Sequence, residues 1–125
     1  MKLLVVDDNR LLCRFLTSYL RYKGHLASSL SDPTIVKSWL DMNTCDGVIL
    51  EILIPKMNGI KLLKMLRSEY PDLPIVMFTS LGNDEAVMTQ CCVAGASGYV
   101  SKKLGPSEAY AAIMRAISHR SVANA

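Results

Sequence analysis

The chain has 125 residues, half of them hydrophobic and one in five charged, with a formal net charge of +3 at pH 7. That length and composition suit one soluble domain with its own core, and the charge is too small to argue for nucleic-acid binding. No apolar run reaches the roughly 20 residues that span a bilayer, and Met1-Lys2 leads into a strand pattern without the shape of a signal peptide.

Strand and helix signals alternate along the chain. Lys2 to Val6 is a short, nearly continuous apolar run, as expected for a parallel strand covered on both faces. Asn9 to Lys23 follows with Leu12, Phe15, Leu16, Tyr19 and Leu20 at helical spacing, and Gly24 supplies a stop. His25 to Ser29 is a shorter, more polar strand that suits a sheet edge. Ser31-Asp32-Pro33 predicts a helix start, with a capping side chain and a proline in the first turn. Gly47 to Glu51 is a third strand. A helix over 58–70 follows, with Ile60, Leu63 and Leu66 on one side. Pro71 and Pro74 bracket the loop into a fourth strand at Ile75-Val76-Met77-Phe78. Asn83-Asp84-Glu85 opens another helix with acids at its positive end. Tyr99 to Ser101 is a fifth strand. Pro106-Ser107-Glu108 opens the last helix, whose Ala109, Ala112, Ile113, Ala116 and Ile117 face inward.

This alternation, with short connections, predicts an α/β fold with a doubly wound parallel sheet of five strands. Functional groups in such folds collect at the carboxyl ends of the strands. Asp7, Asp8, Glu51, Thr79 and Lys102 all fall at or just after such ends. Three carboxylates brought to one edge repel one another and need a cation, a shared proton or both. Oxygen donors of this kind suit Mg²⁺. Bland readings stand beside these. An Asp-Asp pair after a strand also serves as a solvated loop or helix cap, Thr79 as a strand-end hydroxyl, and Tyr99 as half-buried packing. Cys13, Cys45, Cys91 and Cys92 have no metal-type spacing and read as reduced, packed thiols of a cytoplasmic protein. His119, in the last turn of a helix, reads as a surface residue compatible with the helix dipole.

Several motifs in order resemble a response-regulator receiver domain. Asp7-Asp8 matches the acidic pair after the first strand. Val48-Ile49-Leu50-Glu51-Ile52-Leu53-Ile54-Pro55-Lys56-Met57-Asn58-Gly59 matches the third strand and its loop. Thr79-Ser80 matches the hydroxyl after the fourth strand. Ala94-Gly95-Ala96-Ser97-Gly98-Tyr99-Val100-Ser101-Lys102 matches the turn, switch aromatic and lysine. The resemblance implies a flavodoxin-like three-layer sandwich with strand order 2-1-3-4-5. It also implies that Glu51 stands where the family has a phosphate-accepting aspartate. Mg²⁺ would be held by Asp7, Asp8, Glu51 and the backbone carbonyl of Leu53. Lys102 and Thr79 would meet phosphoryl oxygens, and Thr79 and Tyr99 would move together as the switch. Leu53 and Leu81 replace residues that often position the hydrolytic water, so hydrolysis of any phosphoryl group would be slow. Lys103 replaces the family's usual proline, which puts the cis peptide after the lysine in question.

A glutamate is longer than an aspartate by one methylene, roughly 1.5 Å. Phosphoryl transfer to it is therefore expected to be impaired, while partial mimicry of the phosphorylated state is open to it. Glu51 is compatible with a natural, phosphorylation-independent receiver and with an introduced mimic. The implied partners are a sensor histidine kinase or a phosphotransfer protein, with no membrane and no direct nucleic-acid contact by this domain. Residues 1–120 read as the receiver and 121–125 as the start of a linker or tail. The Gly95–Arg120 region resembles receivers that precede a helix-turn-helix output domain, which would lie outside this sequence. The competing class is a Mg²⁺-dependent phosphoryl-handling enzyme on the same fold. The chain shows no Gly-rich phosphate loop, nucleophile-base pair or pocket-forming insertion to support it.

Overall fold

Apolar side chains alternate between the two faces of every central strand, and that alternation builds the molecule. The computed structural model describes the backbone of residues 1–123 and the side chains of residues 1–118. The strands are β1 (Lys2–Val6), β2 (Leu26–Leu30), β3 (Gly47–Leu50), β4 (Ile75–Thr79) and β5 (Gly98–Ser101). All pair in parallel, in the order β2-β1-β3-β4-β5. The helices are α1 (Arg10–Tyr22), α2 (Val36–Met42), α3 (Gly59–Glu69), α4 (Glu85–Val93) and α5 (Pro106–Ala123).

Leu4, Val6, Val48, Leu50 and Met77 point to one side and bury Leu40, Leu62, Leu63 and Leu66 of α2 and α3, with Cys91 of α4. Leu3, Val5, Ile49, Val76, Phe78 and Val100 point to the other and bury Leu16 and Leu20 of α1, with Ala109, Ile113 and Ile117 of α5. Each fully buried leucine or isoleucine contributes roughly 1.5–3 kcal/mol, so two continuous layers fix the sheet between its helices. Short polar caps set the helix starts. Asn9, Asn58 and Asp84 accept bonds from Leu12 N, Ile60 N and Val87 N.

The structure shifts some details. Asp32 caps a single 3₁₀ turn, Pro33–Ile35, and α2 begins only at Val36. The inward stripe of α1 is Cys13, Leu16, Thr17 and Leu20, which leaves Phe15 53% exposed. On α3 Leu62 is buried while Ile60 is only partly so. Strand β3 ends at Leu50, which puts Glu51 in the loop. The tail expected from residue 121 begins inside α5; its last two residues, and the His119 side chain, lie outside those described. Among the described residues no peptide bond is cis, that after Lys102 included. No described helix is long and apolar enough to cross a membrane.

A polar cluster ties the α1–β2 turn to α5. The Met1 amine lies 3.2 Å from His25 Nδ1, and His25 Nε2 lies 2.8 Å from the Tyr110 hydroxyl. Tyr19 packs against Tyr110, and Lys23 sits over the Tyr19 and Tyr110 rings. Partial burial, then the nearby amine, hold His25 below the usual imidazole range. The unfolded chain, with His near 6.5, therefore takes up the proton first, and stability falls as pH drops through about 6.5. Thermal melts at pH 7.5 and 5.0 should show a lower Tm at the acid pH. His25→Gln should narrow that difference; an unchanged difference removes His25 as its source.

Candidate functional site

The carboxyl ends of β1, β3, β4 and β5 converge because the four strands are in register and parallel. Val6 pairs with Leu50, Leu50 with Met77, and Thr79 with Ser101. Each strand therefore delivers its next residue to one rim: Asp7, Glu51, Ser80 and Lys102. Lys102 N donates to the Thr79 carbonyl, which locks β5 against β4 at that rim.

Lys102 is the centre of the arrangement. Its Nζ donates to Asp7 Oδ2 at 2.6 Å and lies 3.0 Å from Glu51 Oε1. The carboxylates are 4% and 3% exposed and the lysine 18%, so the triad is largely removed from water. Both carboxylates are also held by backbone. Asn9 N donates to Asp7 Oδ1 at 2.9 Å. Ile52 N donates to Glu51 Oε2 at 2.6 Å, and Ser80 donates to Oε1 through its N (3.2 Å) and Oγ (3.3 Å). Burial by itself would raise the Glu51 pKa. Bonds from the Thr79 side chain, Lys102, Ser80 and Ile52 more than offset this and leave it below the usual range. Burial likewise disfavours the Lys102 charge, but Asp7 and Glu51 raise its pKa on balance. Glu51 and Lys102 are thus held ionised, and each contributes to stability near neutral pH. The Glu51 contribution is lost as pH falls through its depressed value, the Lys102 contribution as pH rises through its raised one.

Thr79 is fully buried, and its Oγ1 accepts from Leu81 N at 3.2 Å. Tyr99 is partly buried; its hydroxyl donates to the Gly82 carbonyl, 2.7 Å away, in the loop after β4. The aromatic ring is therefore tied to the same loop that carries Ser80 and Leu81.

Asp8 is exposed to solvent, and Leu53 is 52% exposed. Among the described residues no group of three acidic, histidine or cysteine side chains is placed to hold a metal ion. The donor chemistry of Asp7, Asp8 and Glu51 suits Mg²⁺, but their placement does not. The oxygens of Asp7 and Glu51 are occupied by protein donors, and the ammonium stands between them. Among the described residues the three carboxylates expected to meet are not grouped to hold a metal: Lys102 bridges two of them and the third is exposed.

The sequence reading placed Lys102 and Thr79 beside Glu51 but missed the clamp on Glu51 by Ile52 N and by Ser80. Backbone donors carry no residue-type signal, and Ser80 reads only as a small neighbour. It also passed over Gly59, whose N donates to the Ile52 carbonyl at 2.7 Å and which brings α3 against the Glu51–Ile52 backbone.

The family model for the response regulator receiver domain matches residues 3–114. The chain is 35% identical over 111 residues to a chemotaxis protein CheY homolog of Campylobacter jejuni, covering 85% of this chain and 84% of that protein. It is 28% identical over 112 residues to the regulatory protein VanRc of Enterococcus gallinarum, covering 90% and 48%. The chain spans about half the length of the first curated relatives it matches. A two-component response regulator of Clostridium difficile superposes with a TM-score of 0.87 at 26% identity, over 97% of this chain and 98% of the other.

Proposed function

The chain belongs to the response-regulator receiver-domain family of two-component signalling, and on that premise we propose that it is a receiver whose state is set by Glu51 and not by phosphorylation. The observation that carries this reading is the fourfold clamp on the Glu51 carboxylate. Lys102, Ser80 N, Ser80 Oγ and Ile52 N all donate to it. A phosphoryl group on a shorter side chain would need donors of this kind for its three oxygens. A carboxylate has one charge and two oxygens, so the mimicry is partial. The Thr79 side chain against Glu51, and the Tyr99 hydroxyl on the Gly82 carbonyl, support the switch pair resting in its inward arrangement.

Receiver domains are regulatory modules, and nothing in this site favours an enzyme of its own. Family members receive phosphoryl groups from histidine kinases or phosphotransfer proteins. For this chain we propose docking with such a partner, and control of an output carried elsewhere, without the transfer. The helix-turn-helix output, the cytoplasmic location and the hand-over to a linker after residue 120 belong to the same proposal.

The test follows amide and Tyr99 ring signals by NMR. Acetyl phosphate should leave them unchanged, whereas Glu51→Ala should shift Tyr99 and Gly82. A phosphodonor-induced shift in the unaltered chain, or no response of Tyr99 to Glu51→Ala, overturns the reading.

Receiver domains generally bind Mg²⁺ at the phosphorylation site. Here an ion at Asp7, Asp8, Glu51 and the Leu53 carbonyl would have to draw Asp8 inward and displace Lys102 from bonds of 2.6 and 3.0 Å. Ligand at a hundred times its dissociation constant adds about 2.7 kcal/mol of stability. At one fixed Mg²⁺ concentration, the rise in Tm should therefore be smaller for this chain than for Glu51→Asp, and absent in Asp8→Asn. An equal rise in all three removes the site.

A further inference from the structure

We propose that the groove between α1 and the carboxyl end of β2 is a second anion site, built to take inorganic phosphate or a small phosphomonoester. The groove has a volume of about 310 Å³ and is lined by Arg10, Cys13, Arg14, Thr17, Ser29 and Ser31. That is the low end of small-molecule sites and suits a small anion.

The placement of the two arginines is the argument. Arg10 and Arg14 are four residues apart, so they stand one above the other on the same side of α1. Both are exposed, and among the described residues neither guanidinium has a hydrogen bond or ion pair. Like charges at this spacing repel. They also occupy the first turns of a helix, whose positive end prefers acids, and the first turn of α1 has none. Two cations are thus set against each other and against the helix dipole, with no gain inside the protein. A break of local rules without an internal return is what a binding site looks like.

A dianion between the two forks relieves both repulsions, which a single carboxylate does less well. Neighbouring acids do not supply it. Asp7 turns inward to Lys102, and Asp32 is taken by Thr34 and Lys56. None of the residues lining the groove is acidic. The floor is closed by bonds turned away from the groove: Thr17 donates to the Cys13 carbonyl at 2.7 Å, and the Cys13 thiol donates to the Asp7 carbonyl at 3.1 Å. Ser29 and Ser31 line the groove from the β2 side.

The experiment is a titration of the whole chain with inorganic phosphate in Mg²⁺-free buffer, followed through backbone amide signals. Saturable shifts are expected at residues 10, 14, 29 and 31. Arg10→Gln with Arg14→Gln should weaken binding by at least about tenfold, the equivalent of one charge-assisted hydrogen bond. Both positions are exposed, so a melting curve of the double variant checks that its fold is kept. In Glu51→Ala the shifts at residues 10, 14, 29 and 31 should keep their midpoint, whatever phosphate then does at the freed Lys102, which separates this site from the reading of position 51. Shifts that do not saturate, that persist in the double variant, or that centre on Lys102 overturn the proposal.

Discussion

Glu51→Asp should convert a chain that gains no phosphoryl group from acetyl phosphate into one that gains one. The frame around position 51 is otherwise assembled. Lys102 lies at 3.0 Å from the carboxylate, Ser80 N and Oγ lie within 3.3 Å, and the buried Thr79 side chain lies against it. Phosphoryl transfer rests mainly on positioning and electrostatics, so a nucleophile misplaced by one methylene is the main defect to repair. In this chain the oxygens of the longer side chain are already held by Ile52 N, Ser80 and Lys102, and on the reading proposed above that occupies the donors an incoming phosphoryl group would need. Shortening it by roughly 1.5 Å frees the donors for phosphoryl oxygens. A displacement of that size costs on the order of a hundredfold in rate, so the contrast should be plain within one incubation. Intact mass after acetyl phosphate and Mg²⁺ measures it. Two unmodified proteins would mean that the frame has lost the chemistry beyond position 51. Ready modification of the unaltered chain would refute the steric argument. With Leu53 and Leu81 exposed beside the site, the phosphorylated variant should also hydrolyse slowly.

The sheet and the residues at its rim were legible because their signals are local and periodic. Short, near-continuous apolar runs of the β3 and β4 type, set between helical patterns and bounded by turn residues, read as parallel strands covered on both faces, which brings the residue after each run to the rim. Asp7, Glu51, Thr79 and Lys102 were found that way. What the sequence did not show depends on side-chain direction and on backbone. Asp7 and Asp8 are adjacent, and successive residues leaving a strand point to opposite sides. One of the pair meets Lys102 and the other faces water. A pair of acids in sequence can therefore sit in two environments, one held by protein donors and one in water. The stripe on α1 was right at Leu16 and Leu20, with Leu12 packed against them, but not at Phe15. Phe15 and Tyr19 are apolar enough to suit the core, but the face that docks on β1 is set by Cys13, Leu16 and Leu20, one helical step away. Ile52 N was invisible because every non-proline residue has such a group.

Gly59→Ala should be the most damaging single-methyl change near the site. A Cβ at residue 59 would lie 2.1 Å from the Glu51 carbonyl oxygen, 2.7 Å from Ile52 Cα and 2.9 Å from the Glu51 carbonyl carbon. All three are backbone atoms of the loop that holds the Glu51 side chain, so no rotamer change can relieve the overlap. Either α3 withdraws from the sheet, breaking the 2.7 Å bond from Gly59 N to the Ile52 carbonyl, or the Glu51–Ile52 segment moves. Overpacking of this kind costs about 3 kcal/mol, a Tm drop of roughly 10 °C for a domain of this size. Gly105→Ala is the control, because a Cβ there meets nothing within 4 Å and should leave the Tm within about 1 °C. The same loop displacement should pull Glu51 from Ser80 and Lys102. Amide signals of Ser80 and Gly82 should therefore shift in Gly59→Ala but not in Gly105→Ala. A Gly59→Ala protein with an unchanged Tm and unchanged Ser80 signals would show that α3 can slide without cost. The close approach of α3 to β3 would then not be what fixes the carboxylate in place.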